Sequence, residues 1–86
     1  MPEISRFFGI VIGVFYDDHN PPHFHARYQR HKATINIKEL SIIEGKLPPR
    51  VFGLVIEWAT IHQKELFKNW NLAKNQKPLK SIEPLK

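Results

Sequence analysis

Two proline pairs limit the fold of this chain more than any other feature of its 86 residues. Proline fixes its own φ, removes an amide donor and pushes the preceding residue toward extended backbone. Asn20-Pro21-Pro22 therefore reads as a stiff, extended interruption between two strands. Pro48-Pro49 stands where prolines open helices. The apolar pattern changes at that second pair, from runs and alternation before it to helical recurrence after it.

Before Pro48 the signals are those of a sheet. Phe7 to Tyr16 is rich in β-branched and aromatic residues and apolar on both faces, which predicts one central strand, with Gly9 and Gly13 on a common face that admits close approach. After the prolines, Phe24, Ala26 and Tyr28 alternate with His23, His25, Arg27 and Gln29, so the second strand has an apolar face and a basic, imidazole-bearing face. Arg30-His31-Lys32 reads as a polar connection. Ala33 to Lys38 alternates again with Ile35 and Ile37 inward, and a short strand near Leu40 to Ile43 completes the meander before Glu44-Gly45-Lys46 turns the chain.

From Arg50 to about Ala73 there is no proline, and Val51, Leu54, Val55, Trp58, Ile61, His62, Leu66, Trp70 and Ala73 recur at helical spacing. Trp58 and Trp70 fall on that stripe and are expected in the core. An unbroken helix here would span about 35 Å, long for this chain, so a kink or a second short helix is expected near Asn69 to Asn71. The predicted fold is α+β: a three- to four-stranded antiparallel meander over about 5–43, one long helix over about 49–73 packed against it, and an extended basic tail over 74–86. A chain of this length supports one hydrophobic core, hence one domain over 1–86.

Composition narrows the function classes. Without cysteine there is neither a disulfide nor a thiolate metal site. The longest apolar runs fall short of the roughly 20 residues of a membrane helix, and the amino terminus lacks a basic leader, so a cytoplasmic location with no membrane partner is expected. Thirteen Lys and Arg against eight Asp and Glu give a net charge of +5. The excess is sharpest where Lys74, Lys77, Lys80 and Lys86 face only Glu83. Such an end contacts a phosphate backbone or an acidic partner, or simply keeps a small protein in solution.

Chemistry concentrates between Asp17 and Ala26, where His19, His23 and His25 bring three of the five histidines into seven positions. Cleavage of RNA through its 2′-hydroxyl needs a proton acceptor, a proton donor and a cation for the phosphorane charge. His19, His23, His25 and Arg27 supply all three roles. On the helix, His62, Glu65 and Asn69 share a face and extend the candidate set by His62 and Glu65. The expectation is metal-free chemistry with no cofactor; if a metal binds, its ligands are His19, His23 and His25, with Asp17 as an alternative third ligand and an open fourth position. A purely structural reading stands beside both, in which Asp17 or Asn20 caps the turn and the histidines decorate a solvated face. An exposed sheet edge also makes a homodimer a candidate assembly.

The residues Pro2-Glu3-Ile4, Arg6-Phe7, Gly9-Ile10-Val11-Ile12, His19-Asn20-Pro21-Pro22-His23-Phe24-His25-Ala26, Leu47-Pro48, Glu57-Trp58-Ala59, His62, Glu65-Leu66, Asn69-Trp70 and Ile82-Glu83-Pro84-Leu85 resemble the bacterial domain of unknown function 4160. The resemblance spans essentially the whole chain. It implies a small stand-alone protein encoded beside a partner of the domain of unknown function 2442 type, in pairs that are candidate toxin–antitoxin modules. Taken with the histidine motif, the expectation is a toxin-like component acting on RNA without metal, with a non-catalytic interaction module whose histidine face and basic tail are a docking surface as the alternative and a metal-binding histidine site third. No catalytic residue comes with the resemblance. It places His19, Asn20, His23, His25, Glu57, His62, Glu65 and Asn69 in the shared polar pattern.

Overall fold

The computed structural model describes residues 2–86, and they form an α+β fold: an antiparallel meander sheet followed by two helices and an extended tail. Strands β1 (Glu3–Phe7), β2 (Ile10–Gly13), β3 (His23–Tyr28), β4 (His31–Asn36) and β5 (Ile42–Lys46) lie in chain order across the sheet. Helix α1 covers Pro49–Ile61 and α2 covers Gln63–Lys74.

The fold class is the one that the apolar pattern predicts, and the segmentation differs in four places. The run from Phe7 to Tyr16 is not one strand. Phe8 and Gly9 take φ of 49° and 78°, the pattern of a two-residue primed hairpin turn, so β1 folds back and Phe7 pairs with Ile10. An apolar run with an exposed Phe8 at its turn carries no polar punctuation, which hides the turn in the sequence. The second hairpin turns at Gln29 and Arg30, leaving His31 and Lys32 inside β4.

Glu44-Gly45-Lys46 is not a turn but part of β5, whose register shifts against β4 between Thr34 and Ile35. Ile43 is the extra residue of that irregularity. Two residues on, Gly45 has a φ of 86°, and a Cβ there would stand 2.2 Å from the Lys32 carbonyl oxygen. The helix breaks at His62 rather than near Asn69 to Asn71, with φ −112° and ψ 23°. No glycine or proline stands at the break. A tertiary contact does: the Gln63 side-chain amide donates to the carbonyls of Ile37 at 2.6 Å and Lys38 at 3.1 Å, which ties the start of α2 to the end of β4.

The core lies on one face of the sheet. Ile10, Ile12, Phe24, Ala26, Ile35 and Ile37 are fully buried there, and Phe7 and Phe24 meet Trp58 at ring-centroid distances of 5.3 and 6.1 Å. Burying an indole removes about 150–250 Å² from water, which at roughly 25 cal/mol per Å² contributes about 4–6 kcal/mol. The tail then closes the assembly. Ile82 N–H donates to Ile4 C=O at 2.8 Å, beside β1, and the Glu83 carbonyl accepts from Trp58 Nε1 at 2.8 Å. Buried Asn69 donates to the Lys80 carbonyl and accepts from its amide, both at 2.8 Å, so its polar group is satisfied by the tail.

Candidate functional site

The opposite face of the sheet carries the chemistry, and strand register arranges it in rows. Gly13, His25, Thr34 and Glu44 stand side by side across β2 to β5, and Val11, Arg27, Lys32 and Lys46 form the neighbouring row, with Arg6 beyond Val11. Strands lie about 4.8 Å apart, so His25 and Glu44, on either side of Thr34, have backbones about 10 Å from each other. Between the rows runs a groove of about 530 Å³ lined by Phe15, His25, Arg27, Lys32, Thr34 and Glu44 together with backbone of the strands.

Among the described residues, Arg27, Lys32 and Lys46 have no carboxylate within ion-pair distance, whereas Arg6 is bound by Glu3 at 2.8 Å. That hydrogen bond from Arg6, with the charges of Arg6 and Arg27, holds the Glu3 carboxyl below its usual range and raises Arg6 above its own. Two free cations therefore face the groove beside His25. On the far side of the molecule, contact with the Lys68 ammonium and its charge lower Lys80, a congestion of like charge where α2 meets the basic tail.

At one end of the groove the loop after β2 returns Asp18 to β3. His25 Nε2 donates to Asp18 Oδ2 at 2.9 Å, and His23 Nε2 lies 2.9 Å from the same oxygen. The two imidazoles are 5.1 Å apart and nearly perpendicular. His23 is buried, its ring 5.0 Å from that of Trp70. Its Nδ1 donates to the Pro21 carbonyl at 2.7 Å, which fixes the tautomer because a carbonyl oxygen only accepts. The Asn20–Pro21 peptide is cis, and Ile37 N–H donates to the Pro22 carbonyl at 3.0 Å, so the proline pair is tied to the sheet. His25 packs against Phe15 at 4.4 Å, and its Nδ1 faces the Thr34 hydroxyl at 3.4 Å.

The expected site residues thus divide. His25 and Arg27 lie on the open face, whereas His23, which alternation puts on the same side of β3, is buried against Trp70. His19 stays exposed in the loop, and the third member of the cluster is Asp18. His62 and Glu65 form a separate pair, Nδ1 to Oε1 at 2.6 Å, with the His62 ring 5.5 Å from Trp58. Asp17 meets Gln76 at 3.4 Å. Asp18, Lys32, Thr34 and Glu44 are the residues missing from the sequence reading. A two-residue turn at Gln29-Arg30 would have paired Arg27 with Lys32 and His25 with Thr34 by counting alone; Asp18 and Glu44 depend on a loop path and a bulge that no periodicity encodes.

Asp18, His23 and His25 are also the one group of three such side chains among the described residues whose ligand atoms lie within 4.8 Å of one another. No helix there is long and apolar enough to cross a membrane. Comparison with curated proteins and with solved structures finds no significant match. The model of a family described as a domain of unknown function, DUF4160, matches residues 9–71, a span that contains the histidine cluster, the groove and the His62–Glu65 pair, and the chain belongs to that family.

Proposed function

We propose that the chain is the toxin-like member of a two-protein module and cleaves RNA in the groove beside His25 with its own side chains as acid and base. One observation carries this reading. A carboxylate-held imidazole, an opposing carboxylate and two unpaired cations line a single groove.

In the proposed reaction the phosphodiester sits against Arg27 and Lys32, which steady the charge that grows on its oxygens. Glu44 takes the proton of the ribose 2′-hydroxyl. The 2′-oxygen attacks phosphorus, and the bond to the 5′-oxygen breaks. Doubly protonated His25 gives its Nδ1 proton to that leaving oxygen, while Asp18 balances the imidazolium charge and fixes the ring. The products are a 2′,3′-cyclic phosphate and a free 5′-hydroxyl, and His25 and Glu44 exchange protons with water to reset.

The partner such a module requires has a place to dock. Edge strand β5 is exposed along its whole length, with Ile42 and Ile43 open to solvent on the rim that carries Glu44. A partner strand added there would cover the groove and silence it. A second copy of the chain on the same edge would give a homodimer instead, which size-exclusion chromatography with and without the partner distinguishes.

The test is direct. Expression of the chain alone arrests bacterial growth, and the untagged protein cuts RNA in excess chelator to leave cyclic phosphate ends. Both effects are lost with Glu44→Gln. Indifference of growth to expression together with intact RNA rejects the activity and leaves a docking module.

A further inference from the structure

We propose that Asp18, His23 and His25 bind one divalent cation of the zinc type, and that the bound ion switches the groove off. The binding claim stands on geometry alone; the switching claim rests on the acid role given to His25 above.

Three different ligand atoms converge here, two imidazole Nε2 and one carboxylate oxygen. Around a tetrahedral zinc with bonds of about 2.0–2.2 Å, such atoms stand about 3.3 Å apart. Each nitrogen now stands 2.9 Å from the oxygen and the three atoms lie within 4.8 Å of one another, so Asp18 must draw back by a few tenths of an ångström for all three to reach one ion. Side-chain exposures of 10% for His23, 21% for His25 and 23% for Asp18 leave one side of the cluster toward solvent, which suits three protein ligands and an open fourth position.

The surroundings are those that a ligating histidine uses. His23 Nδ1 is committed to the Pro21 carbonyl, so the nitrogen that faces the cluster is Nε2, and its ring is held against Trp70. A backbone carbonyl on the far nitrogen is the outer partner that orients metal-bound histidines. For His25 the Thr34 hydroxyl stands in the corresponding place on Nδ1. Two imidazoles with a single carboxylate favour a borderline ion over magnesium or calcium, which take oxygen ligands.

Occupancy has a consequence for the groove. A metal on His25 Nε2 makes the ring a neutral ligand whose remaining Nδ1 proton is no longer given up. The leaving 5′-oxygen then lacks its acid, and Asp18 is no longer available as counter-charge.

Calorimetric titration of the untagged protein with zinc chloride, and with cobalt(II) as a spectroscopic probe, tests the site without reference to RNA. One ion per chain is expected, with a tetrahedral cobalt absorption band, at least tenfold weaker binding in Asp18→Asn and in His25→Gln, and unchanged binding in His62→Gln. Failure of the wild-type protein to bind zinc stoichiometrically overturns the site, as does binding that survives both cluster variants. With RNA as substrate, zinc is expected to slow cleavage and chelator to restore it. Acceleration by zinc would overturn the switch and the proton role of His25 while leaving the metal site standing.

Discussion

Two histidine–carboxylate contacts in this protein have similar lengths and different origins. His62 meets Glu65 at 2.6 Å across one turn of helix, and His25 meets Asp18 at 2.9 Å across a loop, a proline pair and part of a strand. The first is local: His62 stands at the break before α2 and Glu65 in the first turn of that helix, so three residues of chain bring them together. The second needs the sheet to be complete, the Pro21 carbonyl in place and β4 beside β3. It also gathers a second imidazole and opens onto a groove with free cations, whereas the His62–Glu65 pair has a Glu65 side chain that is 52% exposed and a Trp58 neighbour from the last turn of α1. Long-range assembly, not the pairing of acid with imidazole, distinguishes a candidate active site from a helix contact.

Removing each histidine gives the widest contrast. His25→Ala is expected to lower the rate of RNA cleavage by about 10²–10⁴-fold, the span typical of losing a positioned acid or base. His62→Ala should leave the rate unaltered at equal folded fraction. Cleavage kinetics on a short oligonucleotide, with circular dichroism to confirm folding, separates the two. Equal losses in both variants would mean that the helical pair belongs to the reaction after all.

The next effect is on stability. Asp18→Ala leaves the half-buried His25 Nε2–H without its acceptor, at an expected cost of about 1–3 kcal/mol in urea unfolding. Glu65→Ala breaks an exposed i, i+3 pair and should cost about 0.5 kcal/mol or less. A stability loss for Asp18→Ala no larger than that for Glu65→Ala would show that the loop holds its shape without the carboxylate.

The same contrast explains what the sequence made legible. Alternation placed His23, His25 and Arg27 opposite Phe24 and Ala26, and helical spacing put His62 beside Glu65, because both follow from repeats of backbone geometry. The strand signal at Phe7 to Tyr16 was correct in type and wrong in number, since Phe8 turns the chain with φ of 49° and Gly9 is its only permissive neighbour. Glu44 reaches the groove beside a bulge at Ile43, and Asp18 through a loop whose ends are fixed by β2 and β3. Neither path leaves a periodic trace. His19, the more conspicuous neighbour of Asp18, remains in solvent for the same reason: one step along a loop reverses which side chain faces the sheet.

The Glu3–Arg6 pair carries the comparison to its local, exposed limit and yields the smallest effect. Both groups belong to β1, the Arg6 side chain is 62% exposed, and the bond at 2.8 Å lowers the Glu3 carboxyl. A carboxyl whose acidity is strengthened by folding adds stability above the value it has in the unfolded chain, and that contribution disappears as pH falls through the lower, folded value. Glu3→Gln should therefore unfold like the parent protein at acidic pH, below the folded value, and fall slightly behind it from the ordinary carboxylate range upward. Urea midpoints measured across that window read the difference, which added salt should shrink because both charges face water. A gap that grows toward acid would reverse the sign and mean that the pair destabilises the fold.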